Sequence, residues 1–104
     1  MEITVQRRGG FAGLTEHVTA VNTAQLDAAA AQHVEHMLQS IDFFALPATI
    51  SGGTVGADLR YYEITATQGN RQHTVTFPAD ESNPTTAPLH QLVQTLTQRA
   101  VWGR

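Results

Sequence analysis

Cysteine is absent from the 104-residue sequence, and with it go disulfides, thiolate metal ligands, iron–sulfur clusters and thiol nucleophiles. Lysine is absent as well. All six basic residues are arginine, which excludes Schiff-base chemistry and the phosphate-loop lysine of nucleotide-binding enzymes. The arginines are scattered except for Arg7-Arg8, and the formal charge is −3, so the clustered basic face that neutralises phosphates is lacking and nucleic acid is an unsuitable partner. No basic leader precedes an apolar run, and no window approaches the roughly 18 consecutive apolar residues of a membrane span. These absences describe a soluble, cytoplasmic protein with no membrane partner. Its length fits one domain, residues 1–104, that buries about two-thirds of its unfolded surface and can hold a core without staples.

What is present is organised around Arg7-Arg8-Gly9-Gly10-Phe11-Ala12-Gly13-Leu14, a glycine-rich reversal between two strand-like segments. On one side, Glu2 to Arg8 alternates, with Ile3 and Val5 on one face and Glu2, Thr4 and Gln6 on the other. On the other side, Leu14 to Val21 alternates Leu14, Glu16, Val18 and Ala20 against Thr15, His17, Thr19 and Val21. The two segments form a hairpin. A plain turn carries Asn, Asp or Ser at its tip, whereas this one carries Phe11, which either closes the end of the core or stands outward as an anchor.

Asn22 with Gln25 three residues on reads as a helix start, and Asp27 is a second possible cap. Leu26, Ala30, Val34, Met37, Leu38 and Ile41 recur at helical spacing, which predicts a helix from about Leu26 to about Ile41. Asp42 to Pro47 (DFFALP) is an apolar plug closed by proline, and Ala48 to Asp58 is loop by composition. Leu59 to Thr67 places Tyr62, Ile64 and Ala66 on one face and Tyr61, Glu63 and Thr65 on the other. After a Gln68-Gly69-Asn70 turn, Arg71 to Phe77 alternates His73, Val75 and Phe77 against Gln72, Thr74 and Thr76, and Pro78 ends the strand. The polar stretch Ala79 to Pro88 leads to a second helix capped by Thr85 or Thr86, with Leu89, Leu92, Val93, Leu96 and Ala100 on one stripe and Val101-Trp102 closing against the sheet. The predicted fold is α+β: two layers, a four-stranded antiparallel sheet with two helices on one face, in the order ββαββα.

Chemistry-bearing patterns are weak throughout. His33-Val34-Glu35-His36 departs from both HExxH and HxxEH and has no third ligand, so we read it as solvated helix surface. His17 and His73 could face each other across strands, but we read each as a strand histidine, packed or exposed, without catalytic duty. Ser40, Ser51 and Ser82 do not lie in a nucleophile elbow, Asp80-Glu81 reads as a solvated loop, and no helix start follows the Ser51 to Gly56 run to complete an anion cradle. No catalytic residue, metal ligand or cofactor is assigned. The remaining candidates are partner anchors: Phe11 and Leu14 at the hairpin tip, Leu26 at the helix entrance, and Tyr61 on the open sheet face.

The strand ending in RRGGFAGL, the DFFALP plug, RYYEITAT, RQHTVTF and the final amphipathic helix together resemble emfourin, over nearly the whole chain. The resemblance implies a small, bacterial, non-catalytic protein that blocks the active-site cleft of protealysin or a related thermolysin-like zinc metallopeptidase. The carry-over covers Arg8 to Gly13 and Asp42 to Pro47. The chain departs from the family pattern at the helix entrance, where Leu26 is followed by Asp27 and not by proline. Such peptidases prefer a bulky apolar side chain on the primed side of the scissile bond. The peptidase-contact candidates are therefore Gly9, Gly10, Phe11, Ala12, Gly13, Leu14 and Leu26, on a protein expected to act as a monomer. Phe11 and the Ala48 to Asp58 loop should lie at one end of the sheet, and Leu26 and the Gln68-Gly69-Asn70 turn at the other. The alternatives are a small non-enzymatic peptide-, protein- or sugar-binding module that uses the sheet face and glycine-rich loops, and a small enzyme with an unfamiliar site.

Overall fold

A computed structural model describes residues 1–9, 14–50, 60–79 and 86–102, without the side chains of 14 and 99–102. Strands β1 (Glu2–Gly9) and β2 (Leu14–Asn22) are followed by helix α1 (Ala28–Ser40), strands β3 (Arg60–Gln68) and β4 (Arg71–Pro78), and helix α2 (Ala87–Trp102). The four strands form one antiparallel sheet in the order β2-β1-β3-β4, and both helices lie on the same face of it, as the ββαββα reading expects. The core forms where the alternating faces of the strands meet the two helical stripes. Ile3, Val5, Val21, Ile64, Ala66, Val75 and Phe77 from the sheet pack with Val34 and Leu38 of α1 and Leu89, Leu92, Val93 and Leu96 of α2.

Two local features depart from the simple alternation. The register between β1 and β2 shifts at Val5/Gln6: Val5 opposes Thr19 while Gln6 opposes His17, so Val18 is an extra, bulged residue. Glu16 therefore shares the helix-side face with Thr19 and Val21, and the unbroken two-residue period expected for this strand is interrupted. The bulge also twists an edge strand away from further pairing. At the other edge, Ala48 to Ile50 does not act as plain loop. Ile50 N–H donates to the Thr76 carbonyl at 2.8 Å and Thr76 N–H donates to the Ala48 carbonyl at 2.8 Å, giving a short parallel bridge that covers β4.

The helix entrance holds a 3₁₀ turn, Thr23–Gln25, so α1 starts at Ala28, later than the predicted Leu26. Each of the two caps read from the sequence serves its own element. Asn22 Oδ1 accepts from Ala24 N–H at 3.0 Å, and Asp27 Oδ1 accepts from Ala30 N–H at 2.7 Å. After α1, Asp42 takes a left-handed conformation (φ 54°, ψ 54°) and reverses the chain into a second 3₁₀ turn, Phe43–Ala45. That reversal drives Phe43, 1% exposed, into the core, where its ring meets Phe44 and His73 edge-on. His73 also bonds the Leu46 carbonyl through Nε2 at 2.7 Å, which makes the DFFALP segment the plug that its composition suggests. In the β3–β4 turn, Gly69 has φ 60° and Asn70 a negative φ, the sign pattern of a type II′ hairpin, with Gln68 opposite Arg71.

Thr19 is 5% exposed, and its hydroxyl has no hydrogen-bond partner among the described residues. Burying an unpaired hydroxyl is costly, and valine has the same shape without it. Thr19→Val should therefore raise stability by about 1 kcal/mol, read as a melting temperature about 4–8 °C higher. Phe43→Ala should lower stability by about 3–5 kcal/mol in the same assay, because it leaves a cavity where the plug meets the sheet.

Candidate functional site

The register of β1 separates the anchor candidates. Glu2 opposes both Asn22 and Thr67, while Gly9 opposes both Leu14 and Arg60. Gly9, Leu14 and the starting end of β3 therefore lie at one end of the sheet, and Asn22 and the β3–β4 turn lie at the other, while Phe11 and residues 51–58 of the loop expected beside it fall outside the described residues. The ends are about 23 Å apart along β1 at the usual rise per residue.

At the hairpin end, Gly10 to Gly13, including Phe11, fall outside the described residues, and Leu14 is described only as the backbone partner of Gly9. Gly9 has φ 101°, a value that non-glycine residues rarely adopt, so the reversal starts within β1 itself. With Arg8, Tyr61 and Thr76 it lines a surface concavity of about 280 Å³ on the open side of the sheet. Two ion pairs anchor this end. Arg7 bonds Glu16 across β1 and β2 on the helix side, and Arg8 Nη1 meets Glu63 Oε2 at 3.2 Å on the open side. With Arg8 paired to Glu63, the concavity presents a half-buried tyrosine and little unpaired charge.

At the opposite end, Leu26 is half-buried, with part of its side chain on the core. Its backbone is extended (φ −91°, ψ 159°), and Asp27 continues it (φ −65°, ψ 164°). This two-residue extended stretch is held at both ends. Upstream, Leu26 N–H donates to the Thr23 carbonyl at 3.2 Å and Thr23 N–H donates to the Met1 carbonyl at 2.9 Å, with the Thr23 side chain buried against that strand start. Downstream, Asp27 caps α1 through its side chain while its carbonyl accepts from Ala31 N–H at 2.9 Å. Ala24, Gln25, Asp27, Ala28 and Ala29 around it are exposed, and most are small. A half-exposed leucine on a braced, extended backbone with few bulky neighbours can enter a narrow cleft with little ordering cost.

The other sequence candidates do not converge. His33 and His36 are exposed on the outer face of α1 beside Gln32, Glu35 and Gln39. Among the described residues no group of three or more His, Asp or Glu side chains could hold a metal ion. His17 and His73 do not face each other, as the plain reading of two separate strand histidines has it. β2 and β4 are opposite edges of the sheet, and His17 opposes Gln6 on the open side whereas His73 opposes Ala66 on the core side. Ser40 donates its hydroxyl to the Met37 carbonyl at 2.9 Å and finishes the helix. Ser51, Ser82, Asp80, Glu81 and the Ser51 to Gly56 run lie outside the described residues. No helix of the described residues is long and apolar enough to cross a membrane. Sequence reasoning missed the role of Thr23 in bracing Leu26. The only signal was a threonine that follows a cap residue, which is too common to single out.

The family model of Emfourin matches residues 5–94, and the chain belongs to the Emfourin family. That membership supports a non-catalytic, protease-inhibitor-like role with a protease as partner. No curated protein and no solved structure matches the chain.

The matched span includes the Arg7–Glu16 pair that closes the hairpin below its tip. The Arg7 guanidinium, by hydrogen bond first and by charge second, holds the Glu16 carboxyl below its ordinary value, and Glu16 raises Arg7 in turn. A carboxylate depressed in the folded state stabilises above its unfolded pKa, and that contribution disappears as the pH falls through the folded value. Both side chains are solvent-exposed, so salt also weakens the pair. Glu16→Gln should melt slightly below the wild type at pH 7. The difference should close as the pH drops below the usual carboxylate range, and also in about 1 M salt. Thermal melts across pH and salt check this.

Proposed function

We propose that this chain is a proteinaceous inhibitor of a thermolysin-like, protealysin-type zinc metallopeptidase. It acts as a single inhibitor domain over residues 1–104, as a cytoplasmic monomer without a cofactor, and occludes the active-site cleft without catalysis. The observation that carries the reading is the Emfourin match across residues 5–94. The chemistry agrees with it. Peptidases bind substrates as extended strands, and the primed-side pocket of a thermolysin-like enzyme takes a bulky apolar side chain.

Two stretches offer that side chain, Leu26 and Gly9 to Leu14, whose sequence includes Phe11, and about 23 Å of β1 separates Gly9 from the Asn22 end, too far for one cleft to hold both. We favour Leu26, because its backbone is already extended and is fixed by hydrogen bonds on both sides. A constrained anchor has given up its conformational freedom before binding, so more of the contact energy appears as affinity. The neighbouring turn and helix start would then cover the cleft and exclude water from the zinc.

A second reading rests on the concavity formed by Arg8, Gly9, Tyr61 and Thr76. A small peptide- or protein-binding module would use that surface, with the glycine-rich tip beside it. Titration into a thermolysin-like peptidase assay separates the two readings, since no inhibition at micromolar protein favours the module. Within the inhibitor reading, Leu26→Ala should weaken inhibition by about 30-fold or more, the loss typical of an anchor in a pocket, while the protein stays folded by circular dichroism. Phe11→Ala should change it by less than about threefold. The reverse pattern would assign the hairpin tip as the working end.

A further inference from the structure

The segment around Leu26 is extended on one side only. Leu26 and Asp27 follow a strand-like path, but the three residues before them form the 3₁₀ turn Thr23–Gln25, and the Leu26 N–H is engaged by the Thr23 carbonyl at 3.2 Å. A peptide that is cut must be extended through both sides of the scissile bond, with its carbonyl presented to the metal-activated water. If Leu26 enters the primed-side pocket, the bond at risk is Gln25–Leu26. We propose that this chain presents only the primed half of a substrate, and that Asn22 and Thr23 are the positioning residues that keep the Gln25–Leu26 bond from being hydrolysed. The inference rests on the inhibitor reading with Leu26 as the anchor.

The cleavage that is prevented is ordinary hydrolysis. The oxygen of the enzyme's water would add to the Gln25 carbonyl carbon, the C–N bond to Leu26 would break, Gln25 would end as a carboxylate, and the Leu26 nitrogen would take a proton and leave as an amine. To reach that geometry the turn must open, and three hydrogen bonds resist the opening. Asn22 Oδ1 holds Ala24 N–H at 3.0 Å, Thr23 carbonyl holds Leu26 N–H at 3.2 Å, and Met1 carbonyl holds Thr23 N–H at 2.9 Å. Thr23 is 4% exposed, so the turn cannot swing out without exposing a buried side chain. Downstream, the Asp27 cap starts α1 at once, so the extended stretch ends after two residues.

Asn22 offers the cleaner test, because its cap bond is exposed and its removal leaves the core untouched. Losing a cap of ordinary strength raises the population of the open turn by about fivefold. Wild type, Asn22→Ala and Asn22→Asp, the last keeping an acceptor oxygen, are each incubated at saturation with a thermolysin-like peptidase. Activity is followed with time, and the inhibitor is examined by mass spectrometry. Wild type and Asn22→Asp should stay intact. Asn22→Ala should inhibit at first and then be cut at Gln25–Leu26, yielding a fragment that begins at Leu26, with activity returning about fivefold faster than with wild type. Asn22→Gly repeats the test if the alanine variant does not fold, and Thr23→Val compared with Thr23→Ser extends it to the second residue. Wild-type inhibition combined with an Asn22→Ala chain that stays intact, or that is cut at scattered sites as an unfolding chain would be, overturns the inference and leaves the inhibitor reading standing. A wild type that inhibits no such peptidase overturns both.

Discussion

The structure depends on where β1 sits. The first strand of the chain lies inside the sheet, paired antiparallel along its whole length to β2 on one side and to β3 on the other. Both partners are read by the same eight residues, so the alternation of Ile3 and Val5 with Thr4 and Gln6 decides which face of three strands is apolar. A one-residue slip of β1 would turn that face towards water in the middle of the sheet. The same pairing decides what lies at each end. Because Glu2 meets Asn22 and Thr67, and Gly9 meets Leu14 and Arg60, the helix entrance and the glycine-rich tip are held apart by the length of one strand.

Periodicity made the elements and their faces legible. Ile3, Val5, Ile64, Ala66, Val75 and Phe77 are buried where a two-residue period puts them, and Val34, Leu38, Leu92 and Leu96 where a helical period does. The features that escaped are those in which a backbone choice has no residue-type marker. Val18 is bulged by its register against β1, and nothing in LTEHVTAV distinguishes it from an ordinary strand residue. Asp42 takes a left-handed conformation at the end of α1, where glycine would have announced the stop. Strand order is not legible either: only the ladder shows that His17 and His73 stand on opposite edges of the sheet. Alternation assigns faces, but it does not say which strands are neighbours.

The candidate site was legible in a different way. Both cap residues at the helix entrance were visible as Asn22 and Asp27, but a single helix start was inferred where two short elements each take one. The resolution lies in Leu26, whose extended backbone ends the 3₁₀ turn before Asp27 begins the helix. The two-element entrance is what leaves a leucine partly exposed there. In one continuous helix from Leu26 the same side chain would have joined the Ala30 and Val34 stripe and packed inward. The glycine-rich tip, the most conspicuous sequence in the chain, lies within the span that matches the family, which does not by itself make it the surface that meets a partner.

Asp27 stands where the resemblance leads one to expect proline, and the backbone explains how the chain tolerates the change. Its φ of −65° is the angle a proline ring imposes, and Leu26 before it has the extended conformation that a following proline would demand. The backbone at this position is therefore one that a proline could also take. A proline restricts the unfolded chain and stiffens the loop covalently. Here the same path is held by hydrogen bonds, from Asp27 Oδ1 to Ala30 N–H and from Asn22 Oδ1 to Ala24 N–H. Hydrogen-bonded constraints can be lost one at a time, so the rigidity of the leucine becomes a property of its caps. The segment stays strand-like after Leu26 only as long as Asp27 starts the helix, and stays turned before it only as long as Asn22 holds the turn.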